Sequence, residues 1–97
     1  MIKRIVKMSF RSEEVPAFQH IFESNWKFIR GFEGCRHVEL LQDENDASIF
    51  FTYSIWESQA HLDAYRDSPL FGKVWGATKL LFRDKPQAWS LKELNFN

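Results

Sequence analysis

A single cysteine, Cys35, stands in 97 residues. No internal disulfide can form, and without a CxxC pair or a cysteine–histidine cluster there is no zinc-binding pattern. Cys35 therefore reads as a small, partly buried structural thiol. An excess of charge of either sign is also missing, since thirteen Lys and Arg balance thirteen Asp and Glu. No basic field exists to draw in a phosphate backbone or anionic lipid, which argues against nucleic acid and membrane as partners. No hydrophobic run approaches membrane-spanning length, and Lys7 and Ser9 interrupt the apolar stretch that a signal peptide would need after Lys3 and Arg4. The expectation is a cytoplasmic protein. Catalytic signatures are equally scarce. HExxH, GxSxG and GxGxxG are absent, which removes most of the weight from hydrolase and dinucleotide-binding readings. His20, His37 and His61 fall on separate predicted elements with no metal-like spacing. Gly72 and Gly76, in "GKVWG", lack the Lys-Ser/Thr of a phosphate loop and are expected to serve close helix packing.

What the chain has in quantity is aromatic mass: ten Phe, four Trp and two Tyr, 16% of the residues. Such side chains can fill a core or wall a cavity. The length suits one domain over residues 1–97 with one core. "IKRIVKMSF" alternates as a strand, with Ile2, Val6, Met8 and Phe10 on one side and Lys3, Lys7 and Ser9 on the other. "RSEEVPAFQHIFESNWKFIRG" shifts to helical spacing, with Val15, Phe18, Ile21, Phe22 and Ile29 recurring and Gly31 as the stop. Ser12 is a possible cap, although Pro16 must lie in the first turn, which would move the start one or two residues later.

"CRHVELLQ" and "SIFFTYSIW" are strands joined by the polar turn "DENDAS". The second of these carries large apolar groups on both faces, Ile49, Phe51, Tyr53 and Ile55 against Phe50, Thr52, Ser54 and Trp56. Both faces need cover. A short helix follows around Ala60 to Arg66, then a second one capped by Ser68 with Pro69 at its first position and a stripe from Leu70 through Phe82. "KPQAWSLKEL" closes as a strand. The order predicts an α+β, ferredoxin-like βαββαβ fold with a four-stranded antiparallel sheet and helices on one face. The uncovered face predicts a second copy of the chain around a two-fold axis.

Thr52, Ser54 and Trp56 share one strand face, and His61 and Tyr65 share one side of the following helix. Trp56 can be a core anchor with its N–H satisfied, or a pocket wall whose N–H meets a ligand oxygen. His61 and Tyr65 can be a solvated helix face or pocket groups, and His37 can face a ligand or solvent.

The runs "GFEGCRHVELLQD", "FFTYSIWES" and "LDAYRDSPLF" resemble the antibiotic biosynthesis monooxygenase (ABM) family over nearly the whole chain. Their most specific piece is Trp56-Glu57-Ser58 followed by Ser68-Pro69-Leu70-Phe71. The resemblance implies a dimeric α+β barrel in which two ferredoxin-like sheets face one another, with a cavity between each sheet and its own helices. It also implies oxidation of a phenol, quinol or polyketide anthrone by dioxygen with no cofactor, neither metal nor flavin. Trp56 matches a pocket-lining tryptophan of polyketide-oxidising relatives, whereas Thr52 and Leu62 stand where those relatives carry Asn and Tyr. The haem-degrading branch is not implied, because no Asn precedes Asn25, Tyr65 stands at the helix Trp, and Trp75 falls near the ligand His.

The resulting expectation is a cofactor-independent monooxygenase acting on a small aromatic molecule. Trp56 would orient the substrate, Thr52 and His61 would hydrogen-bond or transfer a proton, and Tyr65, His37, Phe22 and Trp75 would complete the binding site. A non-catalytic small-molecule-binding dimer on the same fold is the alternative. A purely structural dimer would require Phe22, Trp56, Trp75 and their neighbours to fill the cavity.

Overall fold

The computed structural model describes residues 1–96. Strand β1 spans Ile2–Ser9, helix α1 Val15–Arg30, β2 Cys35–Gln42, β3 Ile49–Trp56, α2 Gln59–Arg66, α3 Pro69–Thr78 and β4 Gln87–Lys92. The four strands form one antiparallel sheet in the order β2-β3-β1-β4. This is the ferredoxin-like arrangement, with each βαβ half crossing over one inserted strand.

Ser12 does not cap α1. A turn of 3-10 helix over Ser12–Glu14 comes first, and α1 begins at Val15 with Pro16 in its first turn, where no intrahelical N–H partner exists to lose. At the other end the Arg30 guanidinium donates to the Cys35 carbonyl at 2.8 Å, tying the helix to the start of β2. Gly34, between them, has φ +88°, a left-handed conformation that disfavours any Cβ, and a Cβ there would lie 2.3 Å from the His61 ring. The "DENDAS" turn is held by its own acids. Asp43 accepts from the N–H groups of Asn45 and Asp46, and Asp46 from that of Ser48.

Ser58 and Ser68 cap α2 and α3 through the N–H groups of His61 and Phe71. The stripe that runs on through Phe82 belongs to two elements. Helix α3 ends at Thr78, and a 3-10 turn over Lys79–Leu81 leads to Phe82, which bridges to Phe10. Gly72 and Gly76 are not packing glycines either, because a Cβ at either position would meet nothing within 4 Å.

The helices cover one sheet face, where the core forms two clusters. Met8, Phe10, Phe18 and Phe50 make one, with Phe10 and Phe18 stacked at 4.1 Å. Cys35, Trp56 and Leu62 make the other, with Phe32, Val38 and Tyr65 against them. Among the described residues, no helix lies on the opposite sheet face. Across it the register aligns Glu39, Tyr53, Ile5 and Trp89 in one row and His37, Ile55, Lys3 and Leu91 in the next. Trp89, Leu91 and Leu41 are each exposed by more than two-fifths. No helix among the described residues is long and apolar enough to cross a membrane.

Candidate functional site

A cavity of about 270 Å³ lies between the sheet and the helices, lined by residues from both core clusters. The sheet supplies its floor. Antiparallel partners share a face, so the register that sets Thr52 opposite Val6 and Ser54 opposite Arg4 aims all four at the helices, with Ala88 beside them on β4. Aromatic rings wall the space. Trp56 stacks on Tyr65 at 4.9 Å, Tyr65 meets Phe71 edge-on at 5.3 Å, and Phe71 stacks on Trp75 at 5.8 Å. Phe18 and Phe22 of α1 close the other side. The cavity persists because flat rings tile its perimeter without reaching its centre. Phe22, Trp56 and Trp75 therefore do not fill it.

The polar groups are few. Trp56 is 1% exposed and its indole N–H donates to Ser54 Oγ at 3.0 Å, so that N–H is satisfied within the chain. Ser54 retains its own O–H as a donor. Thr52 offers a second hydroxyl on the same face. Tyr65 is no part of a solvated helix side, for burial, and secondarily the nearby Cys35, pushes its phenol far above the ordinary range and keeps it a protonated donor. Burial likewise raises the Cys35 thiol, whose Sγ lies 3.6 Å from the His37 carbonyl. Two charged residues also line the cavity, Arg4 and Arg66.

Of the residues singled out in the sequence, Trp56, Thr52, Tyr65, Phe22 and Trp75 come together around this space. His61 and His37 do not. His61 shares a helix side with Tyr65, but its ring packs over Gly34, with Nδ1 2.7 Å from Ser58 Oγ and Nε2 3.7 Å from Glu57. It locks the start of α2 to the turn before β2. His37 is moved by a bulge. Cys35 pairs with Trp56 and His37 with Ile55, so Arg36 is the extra residue and His37 turns to the open face, beside Tyr53 and 3.0 Å from Glu39. Without that bulge regular alternation would set His37 opposite Ser54, on the cavity side. Arg4 escaped the sequence reading, although a charged residue between Ile2 and Val6 on the apolar side of β1 was a visible signal.

The sequence profile of the family described as antibiotic biosynthesis monooxygenase matches residues 1–75. The chain belongs to the antibiotic biosynthesis monooxygenase family. The matched span includes β1 to α2 and most of α3, and so carries nearly all of the cavity wall. Solved structures agree on the fold. A crystal structure of an antibiotic biosynthesis monooxygenase superposes with a TM-score of 0.93 at 17% identity, covering 98% of this chain and 100% of that one. A conserved protein from Methanosarcina mazei Go1 gives 0.92 at 17% identity, over 96% of this chain and 92% of its own. Rv0793 from Mycobacterium tuberculosis gives 0.90 at 18% identity, over 98% and 96%. No curated protein matches the chain in sequence. Among the described residues of this ABM domain, no group of three or more His, Cys, Asp or Glu is arranged to hold a metal ion.

Proposed function

We propose that this protein is a cofactor-independent monooxygenase that oxidises a small, electron-rich aromatic molecule of the quinol or anthrone type with dioxygen. The observation that carries the reading is the unfilled, aromatic-walled cavity of about 270 Å³ in an ABM domain. Its volume suits a molecule of one to three fused rings. The chemistry follows from what lines it. A quinol or anthrone that loses a proton becomes an anion able to reduce dioxygen itself, so the protein must hold the ring, exclude water and stabilise the oxyanion. The hydroxyls of Thr52 and Ser54 and the protonated Tyr65 would serve as the donors, while Trp56 would give the ring a flat surface. In the balance, one oxygen atom ends in the new carbon–oxygen bond and the other in water. All four electrons come from the substrate, as when a quinol ring C–H becomes a hydroxyquinone or an anthrone methylene becomes a ketone.

The homodimer belongs to the same proposal. A second copy would cover the open face around Tyr53, Phe51 and Ile5, setting sheet against sheet and leaving both cavities intact. Oxygen uptake by the pure protein with a panel of hydroquinones and anthrones, between about pH 6 and about pH 9, tests the activity. Uptake above the spontaneous rate is expected for at least one of them, and none across the panel would refute it.

One feature favours a second reading, a binding protein without turnover: among the described residues no His or carboxylate side chain lines the cavity to act as a base. Ligands of the same class would then raise the melting temperature with no oxygen consumed.

A further inference from the structure

The charged side chains that line the cavity have the same sign. Arg4 stands in the middle of β1, opposite Ser54 on one neighbour and Ser90 on the other. Its Nη1 donates to Ser90 Oγ at 2.9 Å, which uses one of the five N–H donors of a guanidinium. Arg66, in the last turn of α2, is exposed and also lines the cavity. Neither forms an ion pair among the described residues. Asp63 and Asp67, with Arg66 and Phe71, border a second opening. The rest of the cavity lining is uncharged, made of rings, aliphatic side chains and hydroxyls. The pKa of Arg4 is lowered by its burial first and by the positive charge of Arg66 second. Two like charges lining one cavity repel each other, and an anion between them would relieve that repulsion.

We propose that the cavity takes an aromatic carboxylate, with the carboxylate held between Arg4 and Arg66 and the ring set against Trp56, Tyr65 and Trp75. A guanidinium presents paired N–H groups at the spacing of two carboxylate oxygens, which is why arginine recognises this group better than a lone ammonium would. The Ser54 O–H, beside Arg4, adds a donor on the same side. The proposal rests on the cavity being the substrate site, and it concerns recognition alone, with no step of the oxidation.

Calorimetric titration with 2-naphthoate and 2-naphthamide, which share a ring and nearly a shape but differ in charge, separates the two questions. The wild-type protein should bind naphthoate at least about tenfold more tightly than naphthamide. Arg4→Gln and Arg66→Gln should each remove most of that preference while leaving the naphthamide affinity within about twofold. Arg66 is exposed, so its variant is expected to fold even if the β1 variant does not. Equal affinities in the wild type, a preference kept in the variants, or binding of neither compound would overturn the proposal. Should naphthamide bind as well as naphthoate, the anion clamp fails and the cavity reading survives. Arginine-dependent naphthoate binding in a protein that consumes no oxygen with any quinol would sustain the clamp and sink the oxidation.

Discussion

Trp56 illustrates how one residue can serve packing and pocket together. Its ring is buried between Phe32 and Tyr65, while its N–H is committed to Ser54. Trp56→Phe should therefore act on stability, lowering it by about 1–3 kcal/mol through lost packing and one lost buried hydrogen bond, as a shift of the urea midpoint would show. Unchanged stability with weakened ligand binding would mean that the indole N–H serves the ligand instead. Tyr65 supplies a pH signature. Its unfolded phenol ionises near about pH 10, whereas burial raises the folded pKa well above that. Below about pH 10 both states keep the proton and the contribution is complete. Above it the unfolded chain has released a proton that the folded protein retains, so stability falls as pH rises. Cys35, also raised by burial, adds the same sign from about pH 8.5. Tyr65→Phe should flatten the decline above about pH 10 in urea midpoints measured across that range, and an unaltered decline would place its cause elsewhere. The shared face of Thr52, Ser54 and Trp56 could be read from the sequence because strand alternation fixes it, whereas the four-residue spacing of His61 and Tyr65 could not say which of the two meets the cavity. His37 could not, since nothing at Arg36 announces a bulge.

At the scale of elements, capping and periodicity were the legible signals. Ser68-Pro69 marks the start of α3, where the Ser68 hydroxyl accepts from the Phe71 N–H at 3.2 Å and donates to the Tyr65 carbonyl at 2.6 Å. Ser68→Ala should lower stability by about 0.5–2 kcal/mol without a specific loss of ligand affinity. Gly72→Ala in the same helix should do the reverse. No neighbour opposes the added methyl group, so the gain in helix propensity, about 0.5–1 kcal/mol, should appear as a raised melting temperature. A lowered value would reveal a contact absent from the single chain. The end of α3 was hidden by the very regularity of its stripe. Leu81 and Phe82 keep an apolar spacing that a helix would show, yet they join the Phe10 cluster from a 3-10 turn and a bridge. Periodicity reports which side is buried, and it is blind to a change of element that preserves that side.

For the whole molecule, the order of elements was enough to give the sheet and its single helical layer, because βαββαβ with short connections leaves few alternatives. From the residues themselves the cavity was legible only as a surplus of aromatic side chains, while the family resemblance implied one between the sheet and its helices. Whether rings meet or leave space depends on tilts that no spacing encodes. The open face makes its own prediction. With Tyr53 centred in a row between Glu39 and Ile5, Tyr53→Asp should turn a dimer into a monomer at micromolar concentration in sedimentation measurements. A wild-type monomer, or an unaltered dimer, would contradict that assignment. The central claim, that the cavity of this ABM domain lets dioxygen oxidise an aromatic anion without a cofactor, is tested most directly by isotope. The protein, stripped of metals and flavin, is incubated under ¹⁸O₂ with the quinol or anthrone that supports the fastest oxygen uptake, and the product is weighed by mass spectrometry. One ¹⁸O atom per product molecule is expected, formed faster than in buffer alone. Product without label, or formed no faster than in the absence of protein, would contradict it.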